Sequence, residues 1–221
     1  MVPKRGNSVY SEISPLRQVL PGDFQITGNP EVAETQAGFF TTKQAKAAGY
    51  AENTHPYHVQ AGNWIREHRG IYRLSKFPQN DRPDLMLWWL WSKNREGVSQ
   101  GVYSHETALS LHDLTDLMPS KLHMTVPKSF RRNSEIPRQL ELHCADIPEK
   151  DTEVLHGVRV TRPLRTIVDL FYAGNVPIST LRNALREGLH RGVIRRNEVS
   201  ATQHKLRDDK KTIQFLRNSA A

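Results

Sequence analysis

Cysteine is nearly absent from this sequence: its 221 residues include one, Cys144. A lone thiol excludes an intrachain disulfide and fits a reducing compartment, so the cytoplasm is the expected location. Long apolar runs are lacking too. The strongest, Leu85-Met86-Leu87-Trp88-Trp89-Leu90-Trp91, falls far short of the roughly 20 residues that span a bilayer. The start, Val2-Pro3-Lys4-Arg5, leads into polar residues with no apolar stretch of the secretory kind. No internal repeat is visible. A metalloprotease motif is missing, although His105-Glu106 begins like one. HExxH needs a second histidine at position 109, which is Leu109. The ten histidines show no ligand spacing with Cys144. His143 and Cys144 adjoin on a predicted strand, so they point to opposite faces. No metal and no other cofactor is expected.

Acidic residues are in the minority. Lys and Arg number 31 against 23 Asp and Glu, a formal net charge of +8, and the isoelectric point is about 9.7. This balance fits a polyanionic partner, nucleic acid first and an acidic membrane second, without specifying one. Hydrophobic residues make up 37% at a mean hydropathy of −0.61. Such a chain is soluble and still buries a sizeable core, and its length allows one or two domains.

The stretch Gly38 to Leu74, GFFTTKQAKAAGYAENTHPYHVQAGNWIREHRGIYRL, organises the rest. Thr41 or Thr42 can cap a short helix, Ala45 and Ala48 give it a small packing face, and Gly49 suits its left-handed end. Tyr50 follows as a core plug. Asn53 or Thr54 starts a second helix that tolerates Pro56 only in its first turn and stops near Gly62. Two β-prone runs, Trp64-Ile65-Arg66 and Ile71-Tyr72-Arg73-Leu74, flank the turn His68-Arg69-Gly70. Helix, turn, helix and basic hairpin make a winged helix-turn-helix, a shape that puts its second helix in the DNA major groove. That helix offers Asn53, Thr54, Tyr57, His58 and Gln60, hydrogen-bonding groups without negative charge; for His58 a packed helix residue is the alternative. The wing offers Arg66 and Arg69, and Lys43 sits near the start of the first helix. Cations supply phosphate contacts and amides or hydroxyls read base edges. Glu52 and Glu67 weaken the field locally. A winged helix that binds protein instead of DNA is the competing reading.

Residues 1–29 have little pattern and read as an N-terminal arm, with Lys4 and Arg5 its cations. Pro30 fits the first turn of a helix to Gln36. The winged-helix domain is expected over residues 30–78. Phe77-Pro78-Gln79-Asn80-Asp81-Arg82-Pro83 reads as a linker, and a cut there is expected to expose little core. Residues 83–221 form the second domain. Its first helix runs from Pro83 to about Lys93, with Leu85, Trp88, Trp89 and Trp91 on its buried face. A second, capped by Ser104, carries Ala108, Leu111 and Leu114. Short strands follow at 121–126, 140–145, 153–156 and 158–161, with Gly157 as a hairpin turn. The loop 128–133 carries Arg131 and Arg132; a solvated loop and a second phosphate contact are both open. Thr161 caps a helix with Leu164, Ile167, Val168 and Phe171 inside and an Arg165–Asp169 pair outside. A helix over 179–190 exposes Arg182 and Arg186, with Arg191 just beyond. Asn197 caps a last helix, and Lys205 to Arg217 is a solvated helix or a frayed end. The fold expected is α+β: an N-terminal winged helix and a mixed helical domain around a small, mainly antiparallel sheet.

The runs GFFTTKQAKAAGY and HVQAGNWIREHRGIYRL resemble the N-terminal winged helix of AbiEi-type antitoxins of type IV toxin–antitoxin systems. YSHETALSLHDL, KLHMTVP and GVRVTRPLRTIVDL resemble the second domain of that family, so the likeness spans about residues 30 to 200. It implies a transcriptional repressor that binds double-stranded DNA at inverted repeats in its own operon, dimeric on DNA. It also implies a nucleotidyltransferase-like toxin as functional partner, counteracted without a stable complex. The second domain also resembles a module that precedes very-short-patch-repair-like nucleases. Such an enzyme needs clustered carboxylates for Mg²⁺. Beyond residue 163, Asp169, Glu187, Glu198, Asp208 and Asp209 lie on predicted helices and a charged tail, so no enzyme is expected. A repressor with no toxin partner is the remaining alternative.

Overall fold

The computed structural model describes residues 32, 35–78, 81–206 and 209–220. The expected arm, residues 1–29, lies outside the described residues, as does most of the helix expected from Pro30. Val32 and Thr35 are helical, and the Gln36 N–H reaches the Val32 carbonyl at 3.1 Å.

Strand β1, Phe39–Thr41, opens the winged helix. Sequence reading passed it over because three residues carry no period. Helix α1, Thr42–Ala47, starts on a complete capping box: Thr41 caps Gln44 and Gln44 reaches back to Thr41. Gly49, at φ +93, turns the chain out of it. A 3₁₀ turn, Glu52–Thr54, leads into α2, His55–Gln60, with Pro56 in its first turn as expected. Strands β2, Trp64–His68, and β3, Ile71–Leu74, form the wing. His68 ends a strand whose register shifts between Arg66 and His68, so the turn is tighter than expected. The sheet order is β1-β3-β2, antiparallel throughout. Phe40, Ala45, Trp64, Tyr72 and Leu74 are buried beneath α1 and α2, with Tyr50 and Val59 against them.

Helix α3, Pro83–Trp91, follows. Leu85, Met86, Trp88, Leu90 and Trp91 are buried, whereas Trp89 is half-buried. The one-sided stripe expected for it is corrected because α3 has neighbours on two sides: β1 and β3 of the wing sheet, and the second sheet. That sheet comprises β4 Val102–Tyr103, β5 Leu122–Val126, β6 Leu140–Cys144, β7 Thr152–Leu155 and β8 Val158–Thr161. Its order is β6-β5-β4-β8-β7. Two pairings are antiparallel and two parallel, so the sheet is more evenly mixed than expected within the α+β frame. The long excursion 127–139 returns β6 beside β5 in the same direction. His156 and Gly157 both take positive φ, as a primed two-residue hairpin turn requires.

Helix α4, His105–Leu111, begins after Ser104, but the Ser104 hydroxyl does not cap it. It pairs instead with Thr125 Oγ1 at 2.7 Å and His105 Nδ1 at 2.9 Å. Helices α5 Pro163–Ala173, α6 Ile178–His190, α7 Arg196–Lys205 and α8 Lys210–Ala220 complete the chain. Thr161 does not cap α5: its hydroxyl meets Thr166 Oγ1 at 2.7 Å, and Arg162 holds the cap position. Asn197 lies inside α7, whose cap residue is Arg195, with the Glu198 carboxylate accepting the Arg195 N–H. The described part of the charged tail beyond residue 209 is a docked helix, not a frayed end. Phe215 and Leu216 of α8 are buried, and Phe215 stacks on Phe171 at 4.6 Å.

The core runs across the expected linker. Phe39 and Ile71 belong to one buried cluster with Leu85, Met86, Trp88 and Trp91. A cut at 78–83 would expose it, so the expectation of little exposed core is corrected.

Candidate nucleic-acid interface

The 3₁₀ turn and helix α2 present their polar residues unequally. Asn53, Tyr57 and Gln60 are exposed, Tyr57 by 68%. Thr54 is half-buried, and its hydroxyl donates to the Ala51 carbonyl at 2.7 Å. His58 faces inward: its ring stacks on Trp64 at 4.6 Å and meets Tyr50 edge-on at 5.1 Å. Of the five expected readers, three are free to touch a ligand and two are engaged locally.

On the wing, Arg66 and Arg69 are exposed. The two acids that weakened the field are both paired. Glu67 accepts from Arg73 Nε at 2.7 Å, a largely buried bond, and Glu52 lies 3.5 Å from Lys46. Lys43 is exposed but its ammonium donates to the Arg95 carbonyl at 2.9 Å, tying α1 to the second half of the chain.

Arg131 curls onto its own loop, donating to the Lys128 and Phe130 carbonyls at 2.9 and 2.8 Å. Arg132 lies over the Trp91 ring at 4.9 Å and donates to the Lys93 carbonyl at 2.9 Å. Burial, then the charges of Arg132 and Arg66, push the His68 imidazole below its ordinary range. Arg132 of the loop 128–132 therefore lies near His68, where β2 runs into the wing turn, a proximity the sequence could not indicate across more than sixty positions.

Two residues that sequence reasoning missed sit at the same junction. Lys93 donates to the buried Gln36 amide oxygen at 3.1 Å, and burial pulls its pKa to about 8. Gln36 in turn bonds the Phe39 carbonyl and Gln44, at 2.8 and 2.9 Å. Arg95 stands exposed on the turn that Lys43 holds. Neither position belongs to a periodic or motif pattern.

Residues 30–75 match the family model described as transcriptional regulator, AbiEi antitoxin. The match covers the winged helix, from residue 30 to the turn after β3, and this segment is similar to the DNA-regulator end of that family. No curated protein matches the chain.

Away from the AbiEi-type segment, a cleft of about 790 Å³ lies between α5, α7 and the start of β7. Its central charges are paired with one another: Arg165 holds Asp169 at 2.8 Å and Asp151 at 3.1 Å. Burial raises the Asp169 carboxyl despite that pairing. Three imidazoles cluster where α4 meets β5 and β6. His105 stacks on His143 at 3.7 Å, and His123 Nδ1 lies 3.1 Å from His143 Nε2. Burial and mutual proximity pull His105 to about 4, and burial lowers His123 and His143. Among the described residues no three histidine, cysteine or carboxylate groups are arranged to hold a metal ion. Among them, too, no helix is long and apolar enough to cross a membrane.

Proposed function

We propose that the chain is a sequence-specific repressor that binds double-stranded DNA through residues 30–78. Helix α2 and the 3₁₀ turn before it enter the major groove, with Asn53, Tyr57 and Gln60 on base edges and Arg66 and Arg69 on phosphates. What supports this most is the exposed polar row Asn53, Tyr57 and Gln60 on the 3₁₀ turn and α2, beside a wing whose one acid, Glu67, is paired with Arg73, while Glu52 of the turn pairs with Lys46. Phosphate contacts position the protein and base contacts specify the site. Thr54 and His58 support the helix from within, Lys43 holds the junction, and Arg131 and Arg132 add cations from the second domain.

One winged helix covers one half-site, so inverted repeats in its own operon would engage two copies. Residues 83–221 are the antitoxin part of a type IV system in the cytoplasm. They counteract a nucleotidyltransferase-like toxin without a stable complex, and no catalytic role is assigned to them. Two arms of one experiment test this. A reporter behind the chain's own upstream DNA should be repressed by the full chain, and growth arrested by the neighbouring gene should be restored. Repression without rescue would remove the antitoxin part; rescue without repression would remove the operator part.

A further inference from the structure

We infer that the turn Asn94–Gly97 is a second-domain phosphate-contact element and that Arg95 is its cation; the inference rests on the DNA reading above. The turn is rigid. Lys93 and Ser99 form an antiparallel bridge, the Gly97 N–H reaches the Asn94 carbonyl at 3.1 Å, and Asn94 Oδ1 accepts the Val98 N–H at 2.9 Å. Gly97 takes φ +92, which closes the turn on its partner.

Its position follows from three contacts. Lys43, second residue of α1, grips the Arg95 carbonyl at 2.9 Å. Thr42, first residue of α1, donates its N–H to the Gly70 carbonyl of the wing turn at 2.9 Å. Lys93 at the base of the turn bonds Gln36 at 3.1 Å. The wing turn, the start of α1 and the Arg95 turn are therefore contiguous. In a helix-turn-helix the first helix crosses the phosphate backbone while the second reads bases. An element fixed to the start of α1 beside the wing turn lies at backbone level. Among the described residues the Arg95 guanidinium is exposed and has no partner. Glu96 shares the tip and opposes it, so the site is tuned by one acid.

Phosphate binding is independent of base sequence, so an identified operator is not needed for the test. Full-length protein is titrated with salt on a fluorescein-labelled random-sequence duplex, followed by anisotropy. Arg95→Ala should lower the slope of log K against log salt by about 1, with the melting temperature unchanged. Glu96→Gln should tighten binding at every salt concentration. Arg66→Ala is the reference for a wing contact. Arg182→Ala, on α6 in the separate C-terminal helical core, is the control for net charge and should leave the slope alone. An unchanged slope in Arg95→Ala, with a lowered one in Arg66→Ala, overturns the inference and leaves the DNA reading standing. An equal drop in Arg182→Ala overturns it as a whole-molecule charge effect. Unchanged slopes in both Arg95→Ala and Arg66→Ala bring down the DNA reading itself.

Discussion

Tyr57 and His58 are neighbours with opposite tasks. Tyr57 is 68% exposed, whereas His58 lies against Trp64 at 4.6 Å. Asn53→Ala, Tyr57→Ala and Gln60→Ala are each expected to cut discrimination between operator and random DNA by roughly 1–3 kcal/mol, as the loss of a base contact does. Their melting temperatures should stay unchanged. His58→Ala should do the reverse, losing about 0.5–1.5 kcal/mol of stability with the stacked pair before it loses discrimination. Parallel denaturant melts and competition binding on each variant check this. On the wing, Arg66→Ala and Arg69→Ala should weaken binding to every sequence alike, each reducing the salt slope by about 1. The exposed residues were legible because charge and polarity are local properties. For His58 a base reader and a packed residue were both open, because a six-residue helix is too short for its period to divide inside from outside, and Trp64 is the deciding contact.

At the scale of elements, punctuation was the legible part. Pro56, Gly49, Gly70, Gly157 and Pro163 each stand where the chain starts or turns an element. Caps were less legible: Ser104 and Thr161 precede helices, yet the Ser104 hydroxyl pairs with Thr125 on a strand only the fold brings near, and that of Thr161 with Thr166 one turn into the helix. The histidine cluster is likewise a product of the fold, since α4, β5 and β6 each give one ring. It makes this junction sensitive to acid. His105 is held at about 4, below the roughly 6.5 of an unfolded histidine. Between those values the unfolded chain binds a proton that the folded chain refuses, so stability falls as pH drops from about 6.5 toward 4. His123 and His143 shift in the same direction. Glu106 and Glu141 oppose the effect, and Lys121 and Arg165 reinforce it. Melting temperatures at pH 7 and pH 5 should therefore differ more for the natural chain than for His105→Gln. An equal loss in both would place the acid sensitivity elsewhere.

For the whole molecule, the net charge of +8 pointed to a polyanion and the order of elements pointed to α+β. Docking of the two halves was illegible. Phe39 and Ile71 meet Leu85 and Trp88 across a stretch rich in prolines and polar residues, which reads as a loose linker in sequence. A fragment of residues 1–78 should therefore melt well below the intact chain, with Phe39 and Ile71 newly exposed, while keeping its sequence preference at reduced affinity. Leu85→Ala in the full chain should cost about 2–5 kcal/mol, as emptying a buried leucine site does. The claim on which all of this turns is that α2 and the 3₁₀ turn before it read base sequence. Its most direct test is competition between the chain's own upstream DNA and a scrambled duplex at one fixed salt concentration. The natural protein is compared with the triple variant Asn53→Ala, Tyr57→Ala, Gln60→Ala. The natural protein should prefer its own DNA by at least about 10³-fold, and the variant should bind both duplexes nearly alike at an unchanged melting temperature. Equal affinity in the natural protein, or a preference that survives in the variant, would contradict the account.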